Sequence, residues 1–177
     1  MKSFAERMIG AATLDVPTYE EVEHDESATG QAAGVVVIVA VCGAIGALGQ
    51  GGGGIVSRSV GALLMWAIWS GVTFFIGTRL FAGTATWGEL LRTIGFAQSP
   101  GVLFILGAVP LIGGLAGAVG SIWVLIAGII AIRQALDFDT GKALLTAFLG
   151  WLAGMAAMFA LALVIGVPFA VLGSLAN

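Results

Sequence analysis

Polar and apolar positions alternate in blocks along this chain. Near the start, Phe4, Met8, Ala11 and Ala12 fall on one side of a helix with Glu6 and Arg7 off it, which predicts a short surface-lying helix. "DVP" at residues 15–17 breaks it. Thr18 and Glu21 then fit a Thr-x-x-Glu capping box. No glycine or proline follows until Gly30, so one long helix is predicted from Thr18 through the acidic residues, emerging from the first apolar run. That run, Ala32 to Leu48, carries no charge and ends at "GQGGGG", where consecutive glycines disfavour helix. Val60 to Phe81 is a second run, with Arg79 near enough to its end to reach headgroups. In "GTATWGELLRTIGFAQ", Trp87, Leu90, Leu91 and Ile94 share one helical face, the pattern of a short helix lying in the interface.

From Ser99 to Ala135 the chain is apolar for 37 residues. As one helix this would be about 55 Å long, nearly twice a hydrocarbon core of about 30 Å, so it must turn back. Ser99 and Pro100 make a good helix start, Pro110 can bend the helix in mid-membrane, and "GGLAGAVGS" (Gly113 to Ser121) is the expected turn. Polar "RQALDFDTGK" (Arg133 to Lys142) precedes a last apolar stretch to Leu172, long enough to tilt or to bend at Pro168. The expected fold class is therefore all-α, a polytopic membrane protein with five transmembrane helices at about 32–48, 60–81, 99–117, 119–136 and 143–172. An amphipathic and acidic leader (1–31) precedes the membrane domain (32–177), and an interfacial helix precedes span three.

Composition agrees with a bilayer setting: 59% of the 177 residues are hydrophobic and 10% are charged, against roughly a quarter charged in soluble domains. Seven of the ten acids fall in the first 26 residues, so the net charge of −3 describes one terminal segment. Without a basic stripe, nucleic acid is excluded as a partner. Lone Cys42 leaves no internal disulfide. The first 30 residues lack a signal-peptide core, so the first span is expected to act as the targeting signal and the mature chain to be the whole chain. With the N-terminus inside, five spans place Lys2, Arg7, Arg79, Arg92, Arg133 and Lys142 inside and Arg58 alone outside. This asymmetry predicts a cytoplasmic N-terminus and an outside C-terminus, and merging spans three and four would spoil it.

The stretch from Glu89 to Trp151 carries an amphipathic entry, "GFAQSPGVL", a mid-span proline with glycines, "IW" at Ile122 and Trp123, and "IAIRQALDFDTGKA". In these features, and in the leading "FAERMIGAATLDVPTYEEVEHDESATGQA", the chain resembles the Yip1 family of five-span membrane proteins. The resemblance implies an all-helical fold with a cytoplasmic N-terminus. Eukaryotic members act in transport between endoplasmic reticulum and Golgi, associate with Rab-type GTPases and with one another, and help shape membranes. This chain lacks their long N-terminal region with its Asp-Leu and Gly-Pro motif, and the short acidic leader is similar to that of prokaryotic members.

Candidate chemistry is sparse. The proposed span cores hold no Asp, Glu, Lys, His or Arg, which disfavours proton-coupled transport. Backbone groups at a break near Pro110, Gly113 and Gly114 are the alternative binding device. Glu21 and His24 have the Glu-x-x-His spacing of di-iron bundles, with Glu20 four before His24. One histidine and one acid outside the leader and the 137–139 turn, Glu89, are too few partners, so no metal site is expected. "GQGGGGIVSR" lacks the ending of a phosphate loop, and no Ser, His and acid set exists for nucleophilic catalysis. No enzyme activity and no cofactor are expected. Asp139, Thr140 and Gly141 read as a turn and helix start. Tyr19, Glu20, Glu21, Glu23, Arg133 and Asp137 are the candidate partner-binding residues, on a shared cytoplasmic face. Besides the lipid bilayer, the expected partners are other copies of the chain, other membrane proteins or a cytoplasmic protein. The expected role is a membrane-organising scaffold in the cell membrane, the alternative a small transporter or channel component with a path lined by the broken third span.

Overall fold

The computed structural model describes residues 2–48 and 54–175. Among these the chain is all-helical: α1 (Phe4–Ala12), α2 (Val16–His24), α3 (Ala28–Gly46), α4 (Ile55–Leu80), α5 (Trp87–Phe96), a 3-10 helix (Ser99–Ala108), α6 (Gly113–Ala135) and α7 (Thr140–Leu175). The expected glycine terminator at 49–53 lies outside the described residues. Among the described residues three helices, α3, α4 and α6, are long and apolar enough to cross a membrane. The α5 and 3-10 helices, bent by 41° at a short break, make a fourth if the pair is one span.

The leader does not protrude as one long helix. Its first helix is held by a capping box in which Ser3 Oγ accepts from the Glu6 amide and the Glu6 carboxylate accepts from the Ser3 amide. Past its end at Ala12, Leu14 takes the left-handed φ of 62° while the Asp15 amide reaches back to Gly10 O at 2.9 Å. The next helix starts at Val16, with Asp15 as N-cap and Pro17 in the first turn. Thr18 therefore caps nothing; its hydroxyl donates to Asp15 Oδ2 and accepts from Lys2 Nζ. At Asp25 the helix stops, because Asp25 Oδ1 accepts from the amide and hydroxyl of Ser27 at 3.0 and 2.5 Å. A local side-chain bond of this kind competes directly with helix continuation.

The hairpin is present, but its reversal lies earlier than the glycine-rich stretch. The chain turns at Val109 to Ile112, with Leu111 at φ 74°, and α6 already begins at Gly113. Pro110 thus sits in the reversal rather than bending a helix in mid-membrane. The glycines serve contact instead of turning. A Cβ on Gly107 would come 2.9 Å from Gly46 O, and one on Gly113 would come 2.8 Å from Gly107 O. Backbones can approach this closely only without side chains. Ten 3-10 residues rise about 20 Å, against about 15 Å for an α-helix. The 3-10 helix can therefore keep pace with α3 from Val39, against Gly101, to Gly46, against Gly107.

These contacts define relative directions. The α5 and 3-10 pair runs parallel to α3, with Gly95 against Ala32 at one end. Returning, α6 sets Gly113 on Gly107 and Gly120 on Phe104. Gly150 and Gly154 of α7 pass Thr73 and Trp69 of α4 in antiparallel order. The reversal into α7 is built locally: Phe138 N bonds Arg133 O and Asp137 N bonds Gln134 O, with Asp137 at φ 53°, the Schellman arrangement. Asp139 Oδ1 then accepts from Lys142 N at 3.0 Å as the α7 cap.

The best-buried core lies at the leader end of the bundle. Tyr19 and Val22 are fully covered, together with Ala32, Val35, Leu90, Phe96 and Ala131, and each large side chain so buried contributes about 1.5–3 kcal/mol. Here α5 departs from the expected interfacial helix. Its Thr86–Glu89 capping box is present, but Leu90 and Arg92 to Phe96 are buried under the leader. Elsewhere Leu64, Ile68, Phe75, Leu115, Ile122 and Leu125 are exposed, the apolar surface that membrane helices can turn to lipid.

Candidate functional site

Several polar groups of the leader are tied down across its helices. Arg7, only 2% exposed, donates from Nε and Nη2 to Glu21 Oε1 (3.2 and 2.9 Å), from Nη2 to Asp25 Oδ2 (2.6 Å) and from Nη1 to Gln31 Oε1 (3.0 Å). Burial works against its charge, but the bonds to Glu21 and Asp25 outweigh that and raise its pKa. The same bond holds Glu21 below the usual carboxylate range; Asp25 is lowered by Ser27 first and Arg7 second. From α5, Arg92 donates to the carbonyls of Val22 and Glu23, satisfying the acceptors at the C-terminal end of α2. The ends of α1 are met by Tyr19 Oη on Ala11 O (2.9 Å) and Trp123 Nε1 on Ala12 O (2.8 Å).

Of the six candidate docking residues, the fold collects all on one end of the bundle but leaves only some accessible. Tyr19 is fully buried and Glu23 is 8% exposed, so neither offers a partner much surface. Glu21 is engaged with Arg7. Glu20 and Asp137 are exposed and Arg133 is half-buried. Gln134, which the sequence pattern did not single out, joins them: it donates to Glu20 Oε1 (2.5 Å) and accepts from Arg133 Nε (3.1 Å). Asp137 accepts from Thr84 Oγ1 at 2.8 Å.

Glu21, which has the Glu-x-x-His spacing to His24, is engaged by Arg7 instead, and a different set comes together. Ligand atoms of Glu20, Glu23 and His24 all lie within 4.8 Å of one another. Burial pushes the Glu23 carboxyl up to about 7. His24 is raised by its bond to the Glu20 carbonyl and by Glu23.

A model of the Yip1 domain matches residues 16–162 of this chain. The chain belongs to the Yip1 family. No curated protein and no solved structure matches it. The Yip1 match begins at Val16, the first residue of α2, so the buried half of the leader falls within the matched region and α1 packs on from outside. As a Yip1-domain chain with these helices it is a multi-pass membrane protein.

Among its helices the Yip1 bundle holds a cavity of about 660 Å³ lined by Val39 of α3, Trp66 of α4, Gln98 just before the 3-10 helix, Phe104 within it, and Ser121 and Gly128 of α6. Because α4 begins at Ile55, five residues before the expected start of span two, Arg58 belongs to that helix and also lines the cavity. Gly114 faces open space, whereas Gly113 is packed on Gly107.

Proposed function

We propose that this Yip1-family chain is a non-enzymatic, five-span scaffold of the cell membrane, with a cytoplasmic N-terminus and an outside C-terminus, which organises membrane or gathers other proteins and copies of itself through its cytoplasmic face. One observation carries this reading: the acidic leader is a folded cap, locked by Arg7 and Arg92, and not a loose tail. Ordering such a cap in advance lowers the entropic cost of docking. The antiparallel course of α7 beside α4 supports a fifth crossing, and the six-to-one division of basic residues supports the orientation. Yip1-domain proteins are in general non-enzymatic trafficking proteins. A photo-crosslinking residue introduced at Glu20 or Asp137 in native membranes is expected to trap discrete adducts, and one at exposed Ser57 none. Adducts from Ser57 alone would refute the docking face. Topology is checked in a Cys42→Ser background: cysteines at Glu26 and Asp139 should react with an impermeant maleimide from one side, and one at Ser57 from the other.

The cavity favours a second reading, a small transporter or channel component whose path is lined by the broken third span, since Gln98, Phe104 and Arg58 border it. Solute flux through reconstituted liposomes that Gly128→Trp abolishes would replace the scaffold reading with this one.

A further inference from the structure

At the exposed edge of the leader cap, Glu23 is more than nine-tenths buried, yet among the described residues no hydrogen bond or ion pair reaches its carboxylate; only its backbone carbonyl is engaged, by Arg92. A carboxylate on a side chain so largely withdrawn from water favours a compensating positive charge beside it. Glu20 and His24, on the same turn, point their ligand atoms to within 4.8 Å of it. Both are already oriented by second contacts. Gln134 Nε2 holds Oε1 of Glu20 at 2.5 Å, leaving Oε2 free. His24 Nδ1 meets the Glu20 carbonyl at 2.8 Å; since a carbonyl only accepts, Nδ1 carries a proton, and in the neutral ring the lone pair sits on Nε2. An imidazole fixed through its other nitrogen by a backbone carbonyl is the usual support of a metal-binding histidine. Glu89 and Asp137 add negative field at Glu23, and Arg7 is committed to Glu21 and Asp25 on another side.

From this geometry we propose that Glu20, Glu23 and His24 form a binding site for a divalent transition-metal cation of the Zn²⁺ type. Two carboxylates and one imidazole match the ligand preference of Zn²⁺ and neighbouring ions, whereas Mg²⁺ and Ca²⁺ favour oxygen alone. Ligand atoms around one such ion stand about 2.0–2.2 Å from it, so the exposed Glu20 and His24 close in by about 1 Å while Glu23 stays in place. Three protein ligands leave a position on the exposed side for water. The ion would clamp the C-terminal turn of α2, already joined through Gln134 to α6.

The test uses tag-free, full-length chain in detergent micelles, stripped with chelator and titrated with Co²⁺, then Zn²⁺. Visible Co²⁺ bands should rise to one equivalent per chain and disappear on adding Zn²⁺. Glu23→Gln and His24→Ala should each weaken binding at least about tenfold, while Glu26→Gln, an exposed acid of the same leader, leaves it unchanged. Metal-free Glu23→Gln should melt no lower than the parent chain, which separates lost ligation from misfolding. Equal losses in Glu26→Gln and Glu23→Gln would reduce the site to diffuse acidic attraction and overturn the proposal. Displacement of Co²⁺ by Mg²⁺ as readily as by Zn²⁺, or no bands at excess Co²⁺ in folded chain, would overturn it too.

Discussion

Replacing Arg7 with methionine keeps much of the buried volume and removes the guanidinium that joins α1 to α2 and to the start of α3. Four hydrogen bonds are lost, three of them to the carboxylates of Glu21 and Asp25. At about 1.5–3 kcal/mol per charged hydrogen bond the gross sum is far too large, because the variant also escapes the cost of burying the cation. Breaking one side of a fully buried pair costs about 3–5 kcal/mol. Here the abandoned carboxylates are 26% and 11% exposed and can regain some water, which lowers the expectation to about 2–3 kcal/mol, or about 30- to 160-fold in the opening equilibrium of the leader. Hydrogen exchange by mass spectrometry on nanodisc-embedded protein reads that equilibrium directly. Amides of α1 and α2 should exchange faster by that factor, while those of Ala127 to Ala135 change by less than about threefold. Arg7→Lys should recover less than half of the loss, since lysine keeps the charge but not the fork. An increase below threefold in α2, or the same increase throughout the bundle, would refute the locked-cap account.

Three smaller perturbations probe other joints. Tyr19→Phe removes only the bond to Ala11 O and should cost about 1 kcal/mol, seen as roughly fivefold faster exchange in α1 and α2. Gly107→Val drives a side chain into the Gly46 backbone and should cost at least about 1–3 kcal/mol by overpacking, visible as a lower melting temperature in detergent. Gly114→Ala meets open space and should leave melting unchanged or raise it, by up to about 1 kcal/mol of helix propensity. Identical effects of the last two would mean that the close approach of α3, the 3-10 helix and α6 does not hold in solution.

Those predictions follow the line between what was legible and what was not. The apolar lengths, the break at "DVP", the capping role of Asp139 and the need for a hairpin within residues 99–135 are local properties. They depend on neighbours within a turn or on the length of an uncharged run. The place of the reversal was misread because glycine has two uses. "GGLAGAVGS" looks like a turn, yet Gly113 is occupied with backbone contact to Gly107, and the left-handed position fell to Leu111. Likewise an acidic run after a threonine is a good solvated helix by every local rule, and nothing within it reveals that Asp25 is bound to Arg7, 18 residues away.

By itself, then, the chain's order of residues determined a membrane-embedded, all-helical protein whose charges gather at one terminal segment and a few short loops, because burial of apolar helices and local caps are written in adjacent residues. Tertiary structure alone decided that the acidic segment lies down, that Tyr19 is core, and that Glu23 rather than Glu21 stands beside His24. The reason is physical: these outcomes rest on pairings across 14 to 114 residues, Arg7 with Glu21, Arg92 with the end of α2, and Gln134 with Glu20. A charged side chain reads the same in sequence whether water or a partner satisfies it.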